Sequence, residues 1–548
     1  MKKIAYSMIA ATLILFVAFN DPQDKYFELV KSLDIFGTLF KEVNTYYVDE
    51  VTPNDMIETG INSMLKSLDP YTNYIPEDQI EDYRTMTTGQ YGGIGATIGT
   101  RDGKALVLMP FEGFAAQKAG LQIGDQVLKI NGIDLEGKNT TQISQLLKGQ
   151  AKTALALTIK RFGVEKPFEL SITRENITIS NVTYSGMVSN EVGLIRLEDF
   201  TNDAGKEVQK ALNELKEKGA KNIILDLRGN PGGLLSEAIN VSNVFIPKGN
   251  EVVSTKGKVK EWNKTYTALN APADLEIPLV VLTNKGSASA AEIVAGVMQD
   301  YDRGVLIGQN SYGKGLVQAT RSLSYNSKLK VTVAKYYIPS GRCIQAIDYT
   351  HRNPDGSVGK VADSLRSVFK TKNNREVMDG GGVKPDIELE KFVAAPITNS
   401  LESKGLLFDF ATEYKSKNKQ IKPAKDFKLS EEEYQVFVKW LANKEYDYTT
   451  KVEKNIEQLI AAAKEDKYFE DIKTQIESLK TKVSHNKESD LNKFKAEIKE
   501  ALEAEIVSRY YLEKGSIEAT FDDDLDVKEA IKLFKDLPKY NKILGKKQ

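Results

Sequence analysis

Residues 283–292 read Thr283-Asn284-Lys285-Gly286-Ser287-Ala288-Ser289-Ala290-Ala291-Glu292. An apolar run at 278–283 precedes the loop and predicts a buried strand, and the residues after the loop repeat apolar side chains at helical spacing. Ser289 therefore stands at the start of a predicted helix, residues 290–299, where the helix dipole and unpaired N–H groups favour a developing negative charge. A strand, a loop and a helix in this order are the building unit of an α/β fold.

The same alternation of strands and helices runs through residues 180–390. The predicted strands are 192–197, 222–226, 278–283, 305–307 and 330–337, and the predicted helices are 204–216, 234–244 and 290–299. The fold class is therefore multidomain α/β, with this region as its core.

Composition excludes several kinds of partner and site. The chain has 548 residues, enough for three or four domains, and its 75 basic residues nearly balance its 76 acidic ones, so no overall charge favours nucleic acid. The one cysteine, Cys343, excludes an internal disulfide and a cysteine-rich metal site, and we interpret it as structural. No cluster of histidines or carboxylates has the spacing of metal ligands, so we expect neither a metal nor a cofactor.

The first twenty residues are predicted to be a targeting segment. Lys2 and Lys3 precede an apolar run at 4–19, which is short for a membrane span and typical of the core of a signal peptide. No clean Ala-x-Ala site ends the run, so an uncleaved anchor, and with it membrane association, is the alternative. Residues 1–20 are therefore either a signal peptide or an N-terminal anchor.

Two regions outside the core have helical spacing. Residues 24–86 form a predicted N-terminal helical region, with a second helix at about 54–68, and residues 395–548 form a predicted C-terminal helical domain. Both carry amphipathic segments and are candidate surfaces for a homodimer. The apolar positions are Phe27, Val30, Leu33, Phe36, Leu39, Phe40 and Val43 in the first region and Ile456, Leu459, Ile460 and Ala463 in the second.

Residues 88–165 have the pattern of a small β-rich domain. The predicted strands are 96–98, 105–110, 126–130 and 155–160, and the predicted helix is 140–147. Asn131-Gly132 is a strong signal for a hairpin turn. This order resembles a bacterial PDZ domain, and so does the segment Ala115-Ala116-Gln117-Lys118-Ala119-Gly120-Leu121-Gln122-Ile123-Gly124-Asp125.

The PDZ resemblance implies a peptide-binding loop. In such domains a glycine-rich loop offers backbone N–H groups to the terminal carboxylate of a peptide, which adds to the sheet as a strand. The matching loop here is Gly92-Gly93-Ile94-Gly95. A plain glycine-rich turn is the alternative interpretation.

Ser289 has an ordinary and a catalytic interpretation. Ser289 and Glu292 match the Ser-x-x-Glu capping box, which on its own is the better explanation of this serine. The two interpretations are compatible, because a helix N-terminus also stabilises an oxyanion. The only histidines, His351 and His485, lie in no motif that we recognise. A serine nucleophile here would therefore be activated most plausibly by a lysine.

Lys314, between Gly313 and Gly315, is the candidate base. A lysine serves as a base only when burial lowers its pKa from about 10.4, and an exposed loop is the ordinary alternative. Residues 308–314 also match most of a phosphate-binding P-loop, and Asp226, at the end of a strand, could be the Walker-B acid that accompanies such a loop. Gly315 replaces the serine or threonine that a P-loop needs, which argues against nucleotide binding.

A glycine-rich turn follows the strand at 222–226. It reads Arg228-Gly229-Asn230-Pro231-Gly232-Gly233. One interpretation is a turn before a helix. The other is a pair of backbone N–H donors at the carboxyl edge of the sheet, which would form an oxyanion hole.

From about residue 25 to 390 the chain resembles the carboxyl-terminal processing proteases, also called tail-specific proteases. The order of several motifs carries the resemblance more than any one of them. The motifs are Leu68-Asp69-Pro70-Tyr71-Thr72, the inserted PDZ domain, Asp226-Leu227-Arg228-Gly229-Asn230-Pro231-Gly232-Gly233, Gly286-Ser287-Ala288-Ser289-Ala290-Ala291-Glu292, Gly313-Lys314-Gly315-Leu316-Val317-Gln318, Tyr337-Ile338-Pro339-Ser340-Gly341-Arg342 and Gly380-Gly381-Gly382-Val383-Lys384-Pro385-Asp386.

The resemblance implies a serine endopeptidase that cleaves proteins near their C-termini. It implies Ser289 as the nucleophile, Lys314 as the general base and Gln318 as the residue that orients the lysine amine. The implied oxyanion hole consists of the Ala290 N–H and the N–H of Gly232 or Gly233. The protease core, residues 166–392, would then be similar to the crotonase-like superfold, an analogy of fold alone.

The resemblance also implies partners and a location. Extended or unfolded protein tails would be the substrates, an adaptor protein is a further candidate partner, and the protein would be exported to the bacterial periplasm or cell envelope, free or anchored to the inner membrane. The alternative from another class is a PDZ scaffold or adaptor of the cell envelope with an inert core. Intact Ser289, Lys314 and Gln318 argue against that alternative.

Overall fold

The computed structural model describes residues 22–483 and 487–546, so the predicted targeting segment lies outside the described residues. Within these ranges no helix is both long and apolar enough to cross a membrane. The chain divides into two compact units. The smaller contains residues 22–75 and Thr320–Val331, and the larger contains Pro76–Ala319 and residues 332–546.

The smaller unit is built from two helices and short strand segments. They are α1 (Pro22–Tyr46), α2 (Pro53–Lys66) and β1 (Asn73–Ile75), which pairs antiparallel with residues 328–330. Pro53 suits the first position of α2 because that position needs no N–H donor. After the helix, Asp69 Oδ1 accepts the N–H groups of Tyr71 and Thr72, both at 2.8 Å, and this turn leads the chain into β1. The region predicted as helical thus also contains a strand.

The region of the predicted PDZ domain follows in the larger unit. Its elements are α3 (Ile80–Thr88), β2 (Gln90–Gly93), β3 (Ala96–Arg101), β4 (Lys104–Pro110), α4 (Ala115–Lys118), β5 (Gln126–Ile130), β6 (Ile133–Asp134), α5 (Thr140–Leu147), β7 (Ala154–Lys160), β8 (Phe168–Thr173) and β9 (Glu175–Thr178). The main sheet is antiparallel in the order β3-β4-β5-β7-β8, with β6 on β5, and β2 pairs with β9. Asn131 and Gly132 form the predicted hairpin turn, with φ angles of 49° and 79°. Strands β8 and β9 extend these sheets beyond residue 165.

The centre of the larger unit is a six-stranded sheet between layers of helix. Its elements are β10 (Val182–Met187), β11 (Val192–Leu197), α6 (Ala204–Glu217), β12 (Asn222–Asp226), α7 (Leu235–Phe245), β15 (Leu279–Thr283), α8 (Ala290–Asp300), β16 (Val305–Gly308) and β23 (Ile387–Glu388). The strand order is β10-β11-β12-β15-β16-β23, parallel from β11 onward. Every residue of β12, β15 and β16 is buried, as expected of parallel strands covered on both faces. This pattern confirms the predicted α/β core.

Further strands lie beside this sheet. They are β13 (Glu251–Gly257), β14 (Lys264–Thr267), β17 (Leu316–Ser322), β18 (Lys328–Tyr337), β19 (Ile347–Arg352), β20 (Val358–Lys360), β21 (Val368–Lys370) and β22 (Glu376–Met378). Strand β13 pairs antiparallel with β14 and with residues 334–337 of β18. Of these strands the sequence predicted only β18, because the others either contain several polar side chains or have only three or four residues.

The C-terminal region is helical, as predicted. Its helices are α9 (Pro396–Ser403), α10 (Leu406–Lys417), α11 (Glu431–Leu441), α12 (Lys451–Glu465), α13 (Phe469–Val483), α14 (Lys487–Lys493), α15 (Lys495–Thr520), α16 (Leu525–Phe534) and α17 (Leu537–Ile543). Residues of α9, α10, α11 and α15 share one apolar core. In α16 and α17, by contrast, Val527, Leu533 and Tyr540 pack against Ile224 and Val280 of the central sheet. The last two helices therefore complete the apolar core around the central sheet.

Candidate active site

Ser289 lies on a sharp turn between β15 and α8. Its φ and ψ are 55° and −112°, a conformation that L-residues rarely adopt and that only a well-determined loop can hold. Ser287 supports the loop: its Oγ accepts the Asn284 N–H at 3.0 Å and donates to Leu227 O at 2.8 Å. Strained strand-to-helix turns of this kind can present a nucleophilic hydroxyl at the edge of a sheet.

A buried carboxylate, Glu292, connects the Ser289 turn to the Lys314 segment. Glu292 Oε2 accepts the N–H groups of Ser289 and Lys314, both at 2.8 Å, and Oε1 accepts the Gly313 N–H and the Ser311 hydroxyl, both at 2.6 Å. Because one oxygen accepts from residues 289 and 314, their main chains lie side by side. The sequence alone indicated only that Glu292 caps α8. In the structure it also joins the Ser289 turn to the Lys314 segment.

The pKa of Glu292 reflects opposing effects. Complete burial disfavours the charged form and raises the pKa to about 7, while the hydrogen bonds from Ser311, Lys314, Gly313 and Ser289 lower it. The carboxylate that joins the two segments therefore changes its charge near neutral pH.

We expect Glu292→Gln to change how stability depends on pH. The folded-state pKa lies near 7 and above the ordinary value of 4.5, so the folded protein holds the extra proton between these values. The free energy of unfolding of the wild type, relative to Glu292→Gln, should therefore fall as pH rises from about 4.5 to about 7. Urea unfolding at several pH values measures this difference.

The control for this prediction is Glu214→Gln, on the exposed face of α6, which should leave the pH dependence of the wild type intact. A wild-type curve parallel to that of Glu292→Gln across this range would contradict the raised pKa.

Tyr336, on strand β18, contacts the same two segments. Its Oη lies 3.1 Å from Ser289 O and 2.5 Å from Lys314 O, and its side chain is buried. The Tyr312 N–H also donates to Ser287 O at 2.9 Å. The main chain around Lys314 is therefore held beside the Ser289 turn independently of the lysine side chain.

The glycines on either side of Lys314 allow a close approach of two backbones. Gly313 has a φ of 89°, and a Cβ added there would lie 2.3 Å from Ala346 Cβ. A Cβ on Gly315 would lie 2.8 Å from the Gln345 amide nitrogen. A strand, β17, follows this segment, whereas a P-loop requires a helix there. The structure therefore contradicts the nucleotide-binding alternative.

Gln318 lies on β17, the strand that continues from Lys314. Its side chain is partly buried, and its Nε2 donates to Thr332 Oγ1 at 3.2 Å. The neighbouring strand β18 thus fixes the carboxamide. The structure brings Ser289 and Lys314 together through shared contacts and locates Gln318 four residues further along the same chain segment.

The glycine-rich turn at residues 228–233, predicted to supply oxyanion donors and called the oxyanion turn below, packs directly on the Ser289 turn. A Cβ added at Gly232, whose φ is 97°, would lie 2.8 Å from Ser289 Cβ and 2.9 Å from Ala290 N. The Gly232 N–H donates to Asn230 Oδ1 at 2.8 Å, so it is directed into its own turn. The Gly233 and Ala290 N–H groups are therefore the better candidates among the three predicted donors.

The PDZ region has its own cavity of about 190 Å³ between β3 and α5. Of the four predicted loop residues, Gly93 and Ile94 line it. Gly92 O instead accepts the Gly149 N–H at 3.1 Å, and Gly95 O accepts a backbone N–H at 2.8 Å, so these two hold the loop. Lys148 also lines the cavity and pairs with Asp82 at 2.6 Å, a cation that the sequence reasoning missed.

Within the described ranges, no group of three or more His, Cys, Asp or Glu side chains could hold a metal ion. Cys343 is partly buried, and burial raises the pKa of its thiol.

Comparison with known proteins identifies the family of this arrangement. Profiles for peptidase family S41, for a PDZ domain and for the C-terminal helical domain of probable PDZ-proteases match residues 191–355, 112–161 and 397–534. A carboxy-terminal-processing protease of Bartonella bacilliformis is 38% identical over 354 residues, which cover 63% of this chain and 80% of that protein. This chain belongs to peptidase family S41.

A second relative agrees with this assignment. The carboxy-terminal processing protease CtpA of Bacillus subtilis is 34% identical over 344 residues, which cover 62% of this chain and 72% of that protein. Among solved structures, the photosystem II D1 C-terminal processing protease is 27% identical and covers 65% of this chain and 92% of its own, with a TM-score of 0.35. The family S41 member described here is therefore a serine peptidase, and the predicted family and fold class are confirmed.

Proposed function

We propose that this S41 peptidase cleaves proteins near their C-termini with Ser289 as the nucleophile, Lys314 as the general base and Gln318 as the residue that orients the lysine. The observation that carries the proposal is the Glu292 carboxylate, one oxygen of which accepts N–H groups from both Ser289 and Lys314. That contact supports a serine and a lysine acting on the same bond.

The chemistry proceeds through an acyl-enzyme. The neutral Lys314 amine takes the proton from Ser289 Oγ, which attacks the scissile carbonyl carbon. The Gly233 and Ala290 N–H groups stabilise the oxyanion, and the C–N bond breaks as the Lys314 ammonium returns the proton to the leaving amine. Water, deprotonated by Lys314, then hydrolyses the ester and frees Ser289. Gln318 holds the amine in position throughout.

A covalent probe tests this proposal against an inert scaffold. A fluorophosphonate reacts with an activated serine hydroxyl, so the wild type should be labelled and tryptic mass mapping should locate the label at Ser289. Denatured enzyme is the control and should stay unlabelled. A folded, unlabelled wild type would favour the scaffold, in which the core carries no activated serine.

We propose that the PDZ cavity binds the carboxylate at the end of the substrate. Gly93, Ile94 and Lys148 line this cavity, and backbone N–H groups and ammonium groups both bind carboxylates. The apolar Ile98 and Leu147 side chains line the same cavity and would contact the last side chain of the tail.

A peptide with a free C-terminus should bind at least about tenfold more tightly than the same peptide with an amidated end, because amidation removes the charge that these donors recognise. Fluorescence anisotropy with Ser289→Ala enzyme measures binding without turnover. Lys148→Met should narrow the difference in affinity between the two peptides, whereas Lys138→Met, at a partly exposed position just before α5, should not. Equal affinities for both peptides would remove carboxylate capture from the mechanism.

We also propose that α1 pairs with a second copy of the chain. Large apolar side chains of α1 are exposed, among them Phe27 at 65%, Leu33 at 63% and Leu39 at 57%, and such faces mark interaction sites. Sedimentation of the chain from residue 23 should give a dimer that Leu33→Lys dissociates. A monomeric wild type would contradict the proposed dimer and would favour an adaptor protein that binds the apolar face of α1.

Export is the last part of the proposal. Lys2, Lys3 and the apolar run at 4–19 support a signal peptide or an inner-membrane anchor, and thus a site of action in the periplasm or cell envelope. Residues 1–30 fused to a phosphatase that is active only after export should give an active reporter. An inactive fusion would refute the proposed location.

A further inference from the structure

Arg228, the residue just before the oxyanion turn, uses all five of its N–H donors. Nε and Nη2 donate to Asp226 at 2.9 and 2.7 Å. Nη1 and Nη2 donate to Asp524 at 3.0 and 2.7 Å, and Nη1 also donates to Asp526 at 2.9 Å. The guanidinium is 19% exposed, and the three carboxylates are 2%, 17% and 14% exposed. A planar guanidinium held by five bonds has one available position.

Two of these carboxylates come from the far end of the chain. Asp524 caps the N-terminus of α16, because its Oδ1 accepts the N–H groups of Asp526 and Val527 at 3.0 and 3.1 Å. α16 is itself packed on the central sheet. In α17, Tyr540 Oη lies 3.0 Å from both the N and the O of Leu279, at the start of β15. Both carboxylates therefore lie at the N-terminus of α16, a helix that is packed on the sheet.

On its other side, Arg228 leads directly into the turn that packs on the nucleophile loop. The Gly229 N–H donates to Asn284 Oδ1 at 2.9 Å, and the Ala288 N–H donates to Asn230 O at 2.9 Å. Asn230 Nδ2 also donates to Leu197 O at 2.7 Å. Because the turn is bonded residue by residue to this loop, a shift of Arg228 changes the position of the turn relative to Ser289.

We infer that Asp524 and Asp526 are positioning residues for peptide-bond cleavage, acting through Arg228 to hold the oxyanion turn in register with Ser289. The inference rests on the proposed function, in which Gly233 and Ala290 supply the oxyanion donors. It gives the C-terminal helices a part in catalysis, although neither carboxylate touches the substrate. Losing one oxyanion donor costs roughly 10²–10³ in kcat, so misplacing a donor should cost less, about tenfold.

The test compares two isosteric variants with a matched control. Asp524→Asn and Asp526→Asn each remove a charge and place amide hydrogens where the guanidinium needs an acceptor. Asparagine caps helices about as well as aspartate, so α16 should persist in Asp524→Asn. The control is Asp536→Asn, which alters the N-cap of α17, where Asp536 Oδ1 accepts the Lys539 N–H at 3.0 Å.

Two kinetic readouts distinguish positioning from general stability. The first is kcat and KM for a peptide with a free C-terminal tail, and the second is Ki for a peptidyl boronic acid of the same sequence. Boron forms a tetrahedral adduct with Ser289 Oγ and presents an oxygen where the oxyanion develops. Enzyme that is irreversibly unfolded lowers the apparent kcat but leaves KM and Ki unchanged, so these two constants remain informative when part of a variant is inactive.

We expect Asp524→Asn to lower kcat about tenfold and to raise the boronate Ki about tenfold, with KM within about twofold of wild type. Asp526→Asn should show a smaller change in the same direction, because it loses one bond to Arg228 instead of two. Asp536→Asn should match the wild type in kcat and Ki.

Three outcomes would overturn the inference: an unchanged kcat in Asp524→Asn, a lowered kcat with an unchanged boronate Ki, or an equal loss in Asp536→Asn. Ser289→Ala belongs in the same experiment. Cleavage that survives in Ser289→Ala would refute the proposed function itself. Ser289-dependent cleavage with a normal boronate Ki in Asp524→Asn would refute only the positioning role of Asp524 and Asp526.

Discussion

Ser289→Ala is expected to abolish proteolysis, with kcat/KM lower by at least about 10⁴-fold, because removing a nucleophile leaves only substrate binding and the oxyanion hole. Alanine keeps the Cβ, so a φ of 55° at position 289 is no more strained than in the wild type. The Ser289 N–H, which donates to Glu292, is also retained. The variant should therefore fold normally and lose activity through chemistry alone.

Initial rates on a quenched fluorescent peptide measure this effect. Ser416→Ala is the matched control, because its hydroxyl donates only to a local carbonyl, Glu413 O, on an exposed helix face, and it should cleave at the wild-type rate. The melting temperature of Ser289→Ala should stay within a few degrees of the wild type. Cleavage by pure Ser289→Ala at even a tenth of the wild-type rate would refute the nucleophile.

Lys314→Arg is expected to lower kcat by at least about 10³-fold with little change in KM. Arginine keeps the positive charge but does not lose its proton in proteins, so it cannot take the proton of Ser289 Oγ. The loop should tolerate the change, because its anchors are main-chain groups: the Lys314 N–H on Glu292 and the Lys314 O near Tyr336 Oη. The loss would then report proton transfer and not a displaced loop.

Chemical rescue sharpens this prediction. Lys314→Ala, which leaves space for a small molecule, should regain part of its activity in methylamine, and the rescued rate should rise with pH as more amine becomes neutral. Lys335→Arg, on the exposed face of β18, is the control and should retain wild-type kinetics. Full activity in Lys314→Arg would show that another group is the base.

Buried, apolar elements could be predicted from the sequence. The strands at 192–197 and 222–226 and the helix at 140–147 have the predicted bounds, because short apolar runs or an Asn-x-x-Gln cap define their ends. The hairpin turn predicted at Asn131-Gly132 is also confirmed, because the signal for such a turn lies in two adjacent residues. The family could also be predicted, because its motifs are contiguous in sequence.

The contacts that organise the site could not be predicted in this way. Glu292 meets Ser311, Gly313 and Lys314 only because β15 and β16 lie side by side in the sheet, and in sequence it matches a helix cap. A glutamate in the first turn of a helix whose next residues, 293–298, are all apolar or glycine was the available signal. Asp524 meets Arg228 across 296 positions of the chain, and no local pattern indicates such a pair.

The position of α16 and α17 is a similar case. Helical spacing in the C-terminal region predicts that these helices have an apolar face, but it does not say which surface covers that face. The structure shows Val527 and Leu533 on the central sheet, so the last helices belong to the core that holds the site. The apolar spacing of α16 and α17 is the same as that of helices that pack only on each other, so the spacing does not distinguish the two arrangements.

The central claim is that Ser289 cleaves protein tails near the C-terminus, and intact mass spectrometry tests it most directly. A folded protein with a disordered C-terminal tail would be incubated with the chain from residue 23 and, in parallel, with Ser289→Ala. The account predicts products that keep the N-terminal mass and shorten only at the C-terminal end, and none with Ser289→Ala. Equal products from both enzymes, or cuts spread through the substrate away from its tail, would contradict it.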